Sequence, residues 1–416
     1  MAADLTTLAA VLKESYVIDM ITDELNNSVE AWSEFDSTTL KWEGSDAIMP
    51  LRVARNASVS ASSNTNTPTA GQQGYLRLVV TAKQVYGTIQ ITGPAMAAAA
   101  SQKGSFAIEA AAEMEGLISD FRKKLAQLTF AGGPVIGYVW QPQNAATFGY
   151  AGRFADIAVG AGEAVKFVRM DTYATVGVAT QLNAISGTSL TLAAPIDATA
   201  LIGTGVPMAV VVTGNQAVAV DGLNAEPAGF IGNLSAQSHF GIDRTVAGPA
   251  GSSTLRSNFR MTDPAAGAGG AALALDDLQN MLANAVTNSG KRFSAFWMSW
   301  LQLTSYTTLL QGTSAGNLRV DVKGGGQKAD PGFTDFAYAN IPIKCSDVCP
   351  NGLVFGIEKA GWTRATLSEG HWVDFGQGPI QRVPNKDDGT GTYAMYYDLV
   401  CRQPNAQAVL TALSLA

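Results

Sequence analysis

The sequence predicts an α+β fold: many short strands, one long helix, and a compact unit in which helices and strands alternate. Three stretches carry that expectation. In "DAIMPLRVAR" and "YLRLVVTAKQVYGTIQIT" apolar and polar residues alternate as in half-buried strands, with Leu76, Leu78, Val80 and Ala82 on one face and Arg77, Thr81 and Lys83 on the other. In "GSFAIEAAAEMEGLISDFRKKLAQLTF" the residues Phe106, Ala110, Met114, Leu117, Phe121, Leu125 and Leu128 recur at steps of three and four, the period of a helix. Over residues 273–367 helical and strand-like runs alternate, as in a compact α/β unit.

Along the chain, residues 5–27 place Leu8, Val11, Leu12, Tyr16, Ile18, Met20, Ile21 and Leu25 on an amphipathic helix broken near Tyr16, and "NNSVEAWSEFDSTT" follows as an irregular arm. The strand pair forms a hairpin over residues 42–92. Its tip, residues 56–74, reads "NASVSASSNTNTPTAGQQG", with no charge and almost nothing apolar. Closing such a loop costs only about 2 to 3 kcal/mol, but ordering it costs roughly 1 to 2 kcal/mol per residue. Val59 and scattered alanines do not offset that, so the tip is either disordered or ordered by something outside its own domain. "GPAMAAAASQKG" is a joint of Gly, Pro and small residues.

The long helix covers residues 106–130, about 24 residues and roughly 36 Å. Ser105 is its N-cap, Asp120 and Lys124 pair at i, i+4, acids lie early and bases late, and "AGG" ends it. Residues 155–225 change character: "EAVKFVRM", "QLNAISGTSLTLAA" and "VPMAVVVTGNQAVAVDG" are short runs that form a β-rich insertion. After a Gly/Ser/Pro linker comes a helix with Leu275, Leu278, Met281, Leu282 and Val286 on one face. "RFSAFWMS" is then a buried strand, "WLQLTSYTTLLQG" a second helix, and "GFTDFAYANIPIKCSDVCPNGLVFGIEKAGWTRATL" a set of strands. The tail "TYAMYYDLVCRQPNAQAVLTAL" opens as an apolar strand that Pro404 interrupts.

The 416 residues suffice for roughly two to four domains. Charged residues are only 15%, against a usual figure of about 25%. One way to tolerate so little surface charge is to bury surface against copies of the same chain. Net charge is −7, and the one dense basic cluster, Arg122, Lys123 and Lys124, shares its helix with Glu109, Glu113, Glu115 and Asp120, which disfavours tight nucleic-acid binding. Cys345, Cys349 and Cys401 make no even-numbered disulfide framework and lack the partners of a zinc site, so free thiols are expected. The first residues carry an early acid and no basic run, and no apolar run reaches 18 residues; neither a standard secretion signal nor a membrane span is expected.

Chemical motifs are weak. "GTSAG" matches the G-x-S-x-G elbow, and Ser314, Asp347 and His371 follow the chain order of α/β-hydrolases. The elbow needs strand, turn, helix; here a helix precedes and the strand-like "NLRVDV" follows, so a Gly/Ser turn accounts for it. His239 and His371 both sit beside aromatics at element boundaries, as packed or surface histidines do. "KGGGQK" and "SGKR" lack the phosphate-cradling spacing, and "NKDDGTG" fails the calcium-loop pattern at Lys386. No catalytic, cofactor or metal site is expected. Arg52, Arg55 and Arg77 flank the uncharged tip and are its natural ion-pair donors toward a neighbour, with Asn56, Asn64, Gln72 and Gln73 as polar contacts.

The order of parts resembles the major capsid protein of tailed bacteriophages, the Hong Kong 97-type fold. "GSFAIEAAAEMEGLISDFRKKLAQLTFAGG" is similar to its spine helix, and "LSAQSHFGIDRT" and "NIPIKCSDVCPNGLVFGIEKAGW" to later parts. The resemblance implies an N-terminal arm (1–41), an E-loop hairpin (42–92) and a P-domain with the spine helix (93–154). It further implies the β-rich insertion (155–225), a return to the P-domain (226–265), an A-domain (266–370) and a closing P-domain strand region (371–416). Such a chain is not an enzyme and needs no cofactor. It self-assembles as hexamers and pentamers into an icosahedral shell around double-stranded DNA that it does not bind specifically, in the host bacterial cytoplasm, with scaffolding, portal and decoration proteins as possible partners and no membrane.

The E-loop would lie across the adjacent subunit, whose contacts would order the tip. Residues 56–74 hold asparagines but no lysine, so the isopeptide cross-link of some family members is not expected there. Many members carry a long scaffolding segment at the N-terminus, whereas this sequence enters the arm almost at Met1, so the resemblance implies either a separate scaffolding protein or residues trimmed before this numbering. Two alternatives stand beside this reading: an encapsulin-like shell holding protein cargo, and a cytoplasmic serine hydrolase using Ser314.

Overall fold

A computed structural model of the chain describes residues 30–35, 37–38, 42–44, 46–56, 58–59, 69–93, 105–130, 135–144, 147–151, 164–169, 175–186, 189–193, 208–212, 230, 238–243, 258–261, 272–312, 336–374, 380–384, 386–411 and 413. The expected helix at 5–27 and the linker at 94–104 lie outside these residues. Helix α1 (Glu30–Ser33) and the short strands β1 (Ser37–Thr38) and β2 (Trp42–Glu43) precede β3 (Asp46–Ala54) and β4 (Gly74–Thr81). β3 and β4 pair antiparallel from Asp46 opposite Thr81 to Ala54 opposite Gly74, so the expected hairpin forms. Period-2 alternation turns Ala47, Met49, Leu76, Leu78 and Val80 inward and Ile48, Pro50, Arg52, Tyr75 and Arg77 outward. The hairpin ends sooner than residue 92: the ladder stops at Thr81, and β5 (Lys83–Thr92) leaves for another sheet. Alternation fixes a strand and its faces but not its partner, which is why the two ran together in sequence.

Helix α2 (Ser105–Phe130) has 26 residues and opens at Ser105 itself. Six strands follow: β6 (Val135–Asn144), β7 (Thr147–Ala151), β8 (Ala164–Arg169), β9 (Thr175–Ser186), β10 (Ser189–Leu192) and β11 (Met208–Val212). They close into a barrel in the order β10-β7-β6-β11-β8-β9. Val139, Phe148, Val165, Phe167, Leu190 and Val210 are buried, and the Phe148 and Phe167 rings lie 5.3 Å apart, so side chains fill the interior. The closed barrel therefore includes strands from Val135 on, ahead of the β-rich run read in the sequence over residues 155–225. Pro142 and the glycines of "VIGYVWQPQNAATFGYA" disguise β6 and β7, whose register shifts around Pro142 absorb the missing N–H.

β12 (Ser238–His239) and β13 (Ile242–Asp243) form a minimal hairpin whose turn, Phe240 and Gly241, has positive φ at both positions. Then come β14 (Asn258–Met261), α3 (Leu275–Ser289), β15 (Ala295–Met298), α4 (Trp300–Gly312), β16 (Ala337–Tyr338), β17 (Ile341–Cys345) and β18 (Val354–Ile357). Asp277 accepts the Ala274 N–H at the start of α3, and Gly290 at φ +73° ends it. That left-handed cap explains "SGKR": it is a helix terminus, and the Lys291 ammonium donates to Gln403 at 2.6 Å.

The chain closes with β19 (Trp362–Trp372), β20 (Ile380–Arg382), β21 (Asp388–Cys401) and β22 (Ala408–Thr411). One sheet has the path β1-β19-β21-β20, with β5 antiparallel to β21. Helix α2 lies on this sheet, burying Phe121, Leu125 and Leu128 against Val85, Met395 and Tyr397. Gly87 permits the approach, since a Cβ there would sit 3.0 Å from the Leu117 side chain. A second sheet runs β14-β22-β18-β15-β17-β16, with Leu278, Met281 and Leu282 of α3 in its core. After the one-turn helix Pro404–Ala406, β22 enters this second sheet, not that of β21.

Candidate functional site

The outward face of the β3–β4 hairpin combines exposed apolar and cationic side chains. Tyr75 is 63% exposed and Ile48 47%, and Arg52, Arg55 and Arg77 are all exposed. Arg52 faces Tyr75 and Pro50 faces Arg77 across the ladder. Asn56 is turned into its own chain: its Oδ1 accepts from the Ser58 N–H at 2.9 Å and hydroxyl at 2.7 Å, a local Asx turn. Gln73 Oε1 accepts from the Tyr75 hydroxyl at 2.8 Å, while Gln72 is exposed. Asn64 lies outside the described residues.

The base of the hairpin is fixed. Ala47, Met49, Leu78 and Val80 pack with Ile242, Ala365 and Val400, and the Val79 N–H donates to the Phe240 carbonyl at 3.1 Å. The segment before it is held by side chains of both sheets. Trp32 stands edge-on to Tyr397 at 4.8 Å and under the Arg364 guanidinium at 4.5 Å. Lys344 donates to Glu34, and Lys359 lies 3.9 Å from the other carboxylate oxygen. β1 adds to β19 in parallel, Ser37 opposite Arg364. Phe35 meets Phe230 at 5.5 Å, and Phe230 in turn meets Phe130, Phe355 and Trp362 at 5.3, 5.6 and 4.9 Å. This aromatic hub joins α2, both sheets and the N-terminal segment. Sequence reasoning did not single it out, because Phe230 and Ile231 sit in a Gly- and Ala-rich stretch with no helix or strand period.

The triad order found in sequence does not become a triad among the described residues. Ser314 lies outside them, as does "KGGGQK". Asp347 sits in the turn after β17 in the second sheet, whereas His371 is exposed on β19 of the first, its Nδ1 2.9 Å from the Glu369 carbonyl and 3.2 Å from the Ser368 hydroxyl. His239 occupies β12. The acidic turn tested as a calcium loop starts β21, with Asp388 accepting from Gln90 at 2.8 Å. Among the described residues no three His, Cys, Asp or Glu side chains gather as a metal site, and no helix is long and apolar enough to cross a membrane. All three cysteines are free and buried, and burial, with Cys345 adding, pushes the Cys349 thiol well above the ordinary thiol range.

A long helix on one sheet, a second sheet with two helices and a hairpin packed against the first make up a fold that is also found in a solved phage capsid. The particular likeness is to the capsid asymmetric unit of cyanophage A-1(L): TM-score 0.55 over 95% of this chain and 96% of that one, at 10% sequence identity. The capsid of a native GTA particle (TM-score 0.48, 11% identity, 98% and 99% covered) and the holo-SrpI encapsulin complex of Synechococcus elongatus PCC 7942 (0.45, 10%, 98% and 96%) are similar at a level too slight to bear on the reading. No protein-family model and no curated protein matches the sequence.

Proposed function

We propose that this chain is the major capsid protein of a tailed bacteriophage, a non-enzymatic subunit whose copies close as hexamers and pentamers into the icosahedral shell around a double-stranded DNA genome. The fold shared with a cyanophage capsid over 95% of the chain carries the proposal. In Hong Kong 97-type terms α1 and β1 belong to the N-terminal arm, the β3–β4 hairpin is the E-loop, α2 is the spine helix, the sheet of β5, β19 and β21 is the P-domain, and α3, α4 and the second sheet are the A-domain. The barrel is an insertion. Arg52, Arg55, Arg77, Gln72 and Gln73 then face a neighbouring subunit, and contacts with it order the uncharged tip.

Many modest interfaces closed by symmetry stabilise such a shell. Assembly takes place in the host bacterial cytoplasm, the product is the virion capsid, and scaffolding, portal and decoration proteins are its partners. The test is negative-stain electron microscopy with light scattering of the purified chain. Closed shells or capsomer rings are expected. Nuclease-protected DNA inside particles from infected cells separates a genome container from a protein-cargo compartment. A monomer at every concentration, reacting with a fluorophosphonate at Ser314, would overturn the proposal.

A further inference from the structure

We propose that the carboxyl ends of β15 and β17 form a binding site for a hard cation such as calcium, held by side-chain oxygens of Asp347, Gln302 and Ser346. β15 and β17 run parallel and adjacent, with Met298 opposite Cys345, and the chain passes from β15 through Ser299 directly into α4. The Ser346 N–H donates to the Met298 carbonyl at 3.1 Å. The Gln302 N–H donates to the hydroxyl of Ser299, the N-cap of α4, at 3.2 Å. These two bonds bring Gln302 and the turn that begins Ser346–Asp347 to one corner of the second sheet. In open α/β sheets, ligands bind outside the carboxyl ends of the strands.

The corner is short of partners. Five buried side-chain atoms there have no hydrogen-bond partner among the described residues: Oε1 and Nε2 of Gln302, Oγ of Ser346 and both carboxylate oxygens of Asp347. Gln302 is 0% exposed and Ser346 1%. Buried polar groups are almost always satisfied by protein, water or an ion, and a buried carboxylate is paired with a cation or coordinates a metal. The cation closest in sequence, Lys344, is engaged by Glu34 and lies over the Trp297 ring, so it does not serve Asp347. Four of the five atoms are oxygens. A carboxylate, an amide carbonyl and a hydroxyl are the ligands calcium takes, and water fills the remaining positions of its shell. A water of that shell is then the acceptor for Gln302 Nε2. The donor set contains neither imidazole nor thiolate, which sets zinc and copper aside. Because only one ligand is a carboxylate, the affinity is modest, with a Kd on the order of 1 mM.

The experiment uses the full chain before assembly, so its outcome is independent of the shell reading. Terbium(III) is the probe, because Trp297 and Trp300 flank Met298 and Ser299 and sensitise its luminescence, and calcium chloride is the competitor. Wild type, Asp347→Asn and Gln302→Leu are compared after treatment with chelator. Each substitution removes unpartnered buried atoms, so in chelator both variants are expected to fold and to melt at or above the wild-type temperature. Wild type is expected to bind one terbium that calcium displaces. About 10 mM calcium chloride should raise its melting temperature by roughly 3 °C. Asp347→Asn should bind at least about tenfold more weakly and lose the calcium-dependent shift, with Gln302→Leu weakened severalfold. No sensitised signal and no calcium-dependent shift in the wild type would leave the corner to water and overturn the site. A signal and shift that survive Asp347→Asn put the ion elsewhere and overturn it as well. Loss in Asp347→Asn with Gln302→Leu unchanged overturns the three-residue ligand set.

Discussion

Replacing Phe230 with alanine removes the ring on which four others converge. Phe230 is 0% exposed and touches Phe35, Phe130, Phe355 and Trp362 at centroid distances of 4.9 to 5.6 Å. Truncating a buried phenylalanine costs about 3 to 5 kcal/mol through lost transfer energy and the residual cavity, and the upper half of that range applies because edge-to-face pairs add about 0.5 to 1.5 kcal/mol each. At roughly 2 °C per kcal/mol in a large chain, the melting temperature should fall by roughly 8 to 10 °C. Differential scanning calorimetry of the unassembled subunit reads the drop. Fluorescence of Trp362, whose ring loses its neighbour, reports whether the hub itself has loosened. The leucine variant keeps most of the volume and should lose less than about 1.5 kcal/mol. An alanine variant melting within about 2 °C of wild type would refute the claim that the hub couples the two sheets.

Three further outcomes are expected. Gly356→Ala puts a Cβ 2.6 Å from the Met281 methyl and the Phe293 ring, so overpacking should cost about 1 to 3 kcal/mol, measurable by urea titration. Both carboxylate oxygens of Asp347 are buried without a hydrogen-bond partner among the described residues, so Asp347→Asn should be neutral or stabilising; a loss of more than about 1 kcal/mol would mean that the charge is matched in the folded protein. Because the Cys349 pKa is raised by burial, its thiol stays protonated at pH 8, and a thiol-disulfide reagent should leave the folded chain unmodified there while labelling all three cysteines in denaturant, as mass spectrometry will count.

Much of the architecture is legible because it is local. The stripe Phe121, Leu125, Leu128 predicts both α2 and its buried face, and the alternation from Ala47 to Val80 predicts which hairpin residues turn outward. What stays hidden is non-local. β5 has the same alternation as β4, yet its ladder is with β21, some 300 residues on, and nothing in a period of two names that partner. β6 and β7 are masked by Pro142 and glycine, residues that ordinarily mark loops. Of the candidate contact residues, exposure of Arg52, Arg77 and Gln72 followed from pattern, whereas the inward turn of Asn56 depended on the hydroxyl of Ser58 two residues away.

The position of β22 bears on how the protein is made. It lies between β14 and β18, second from the edge of the sheet, so β14 has no strand to pair with until residues 408–411 have left the ribosome. β14 has no other ladder among the described residues, and its strand edge waits about 150 residues of synthesis for its partner. At about 5 to 20 residues per second that wait lasts on the order of ten seconds or more, during which an apolar sheet edge is open to a chaperone or to neighbouring nascent chains. Completion of this sheet is necessarily a late event, and the concentration of unfinished chains on a polysome becomes a determinant of yield.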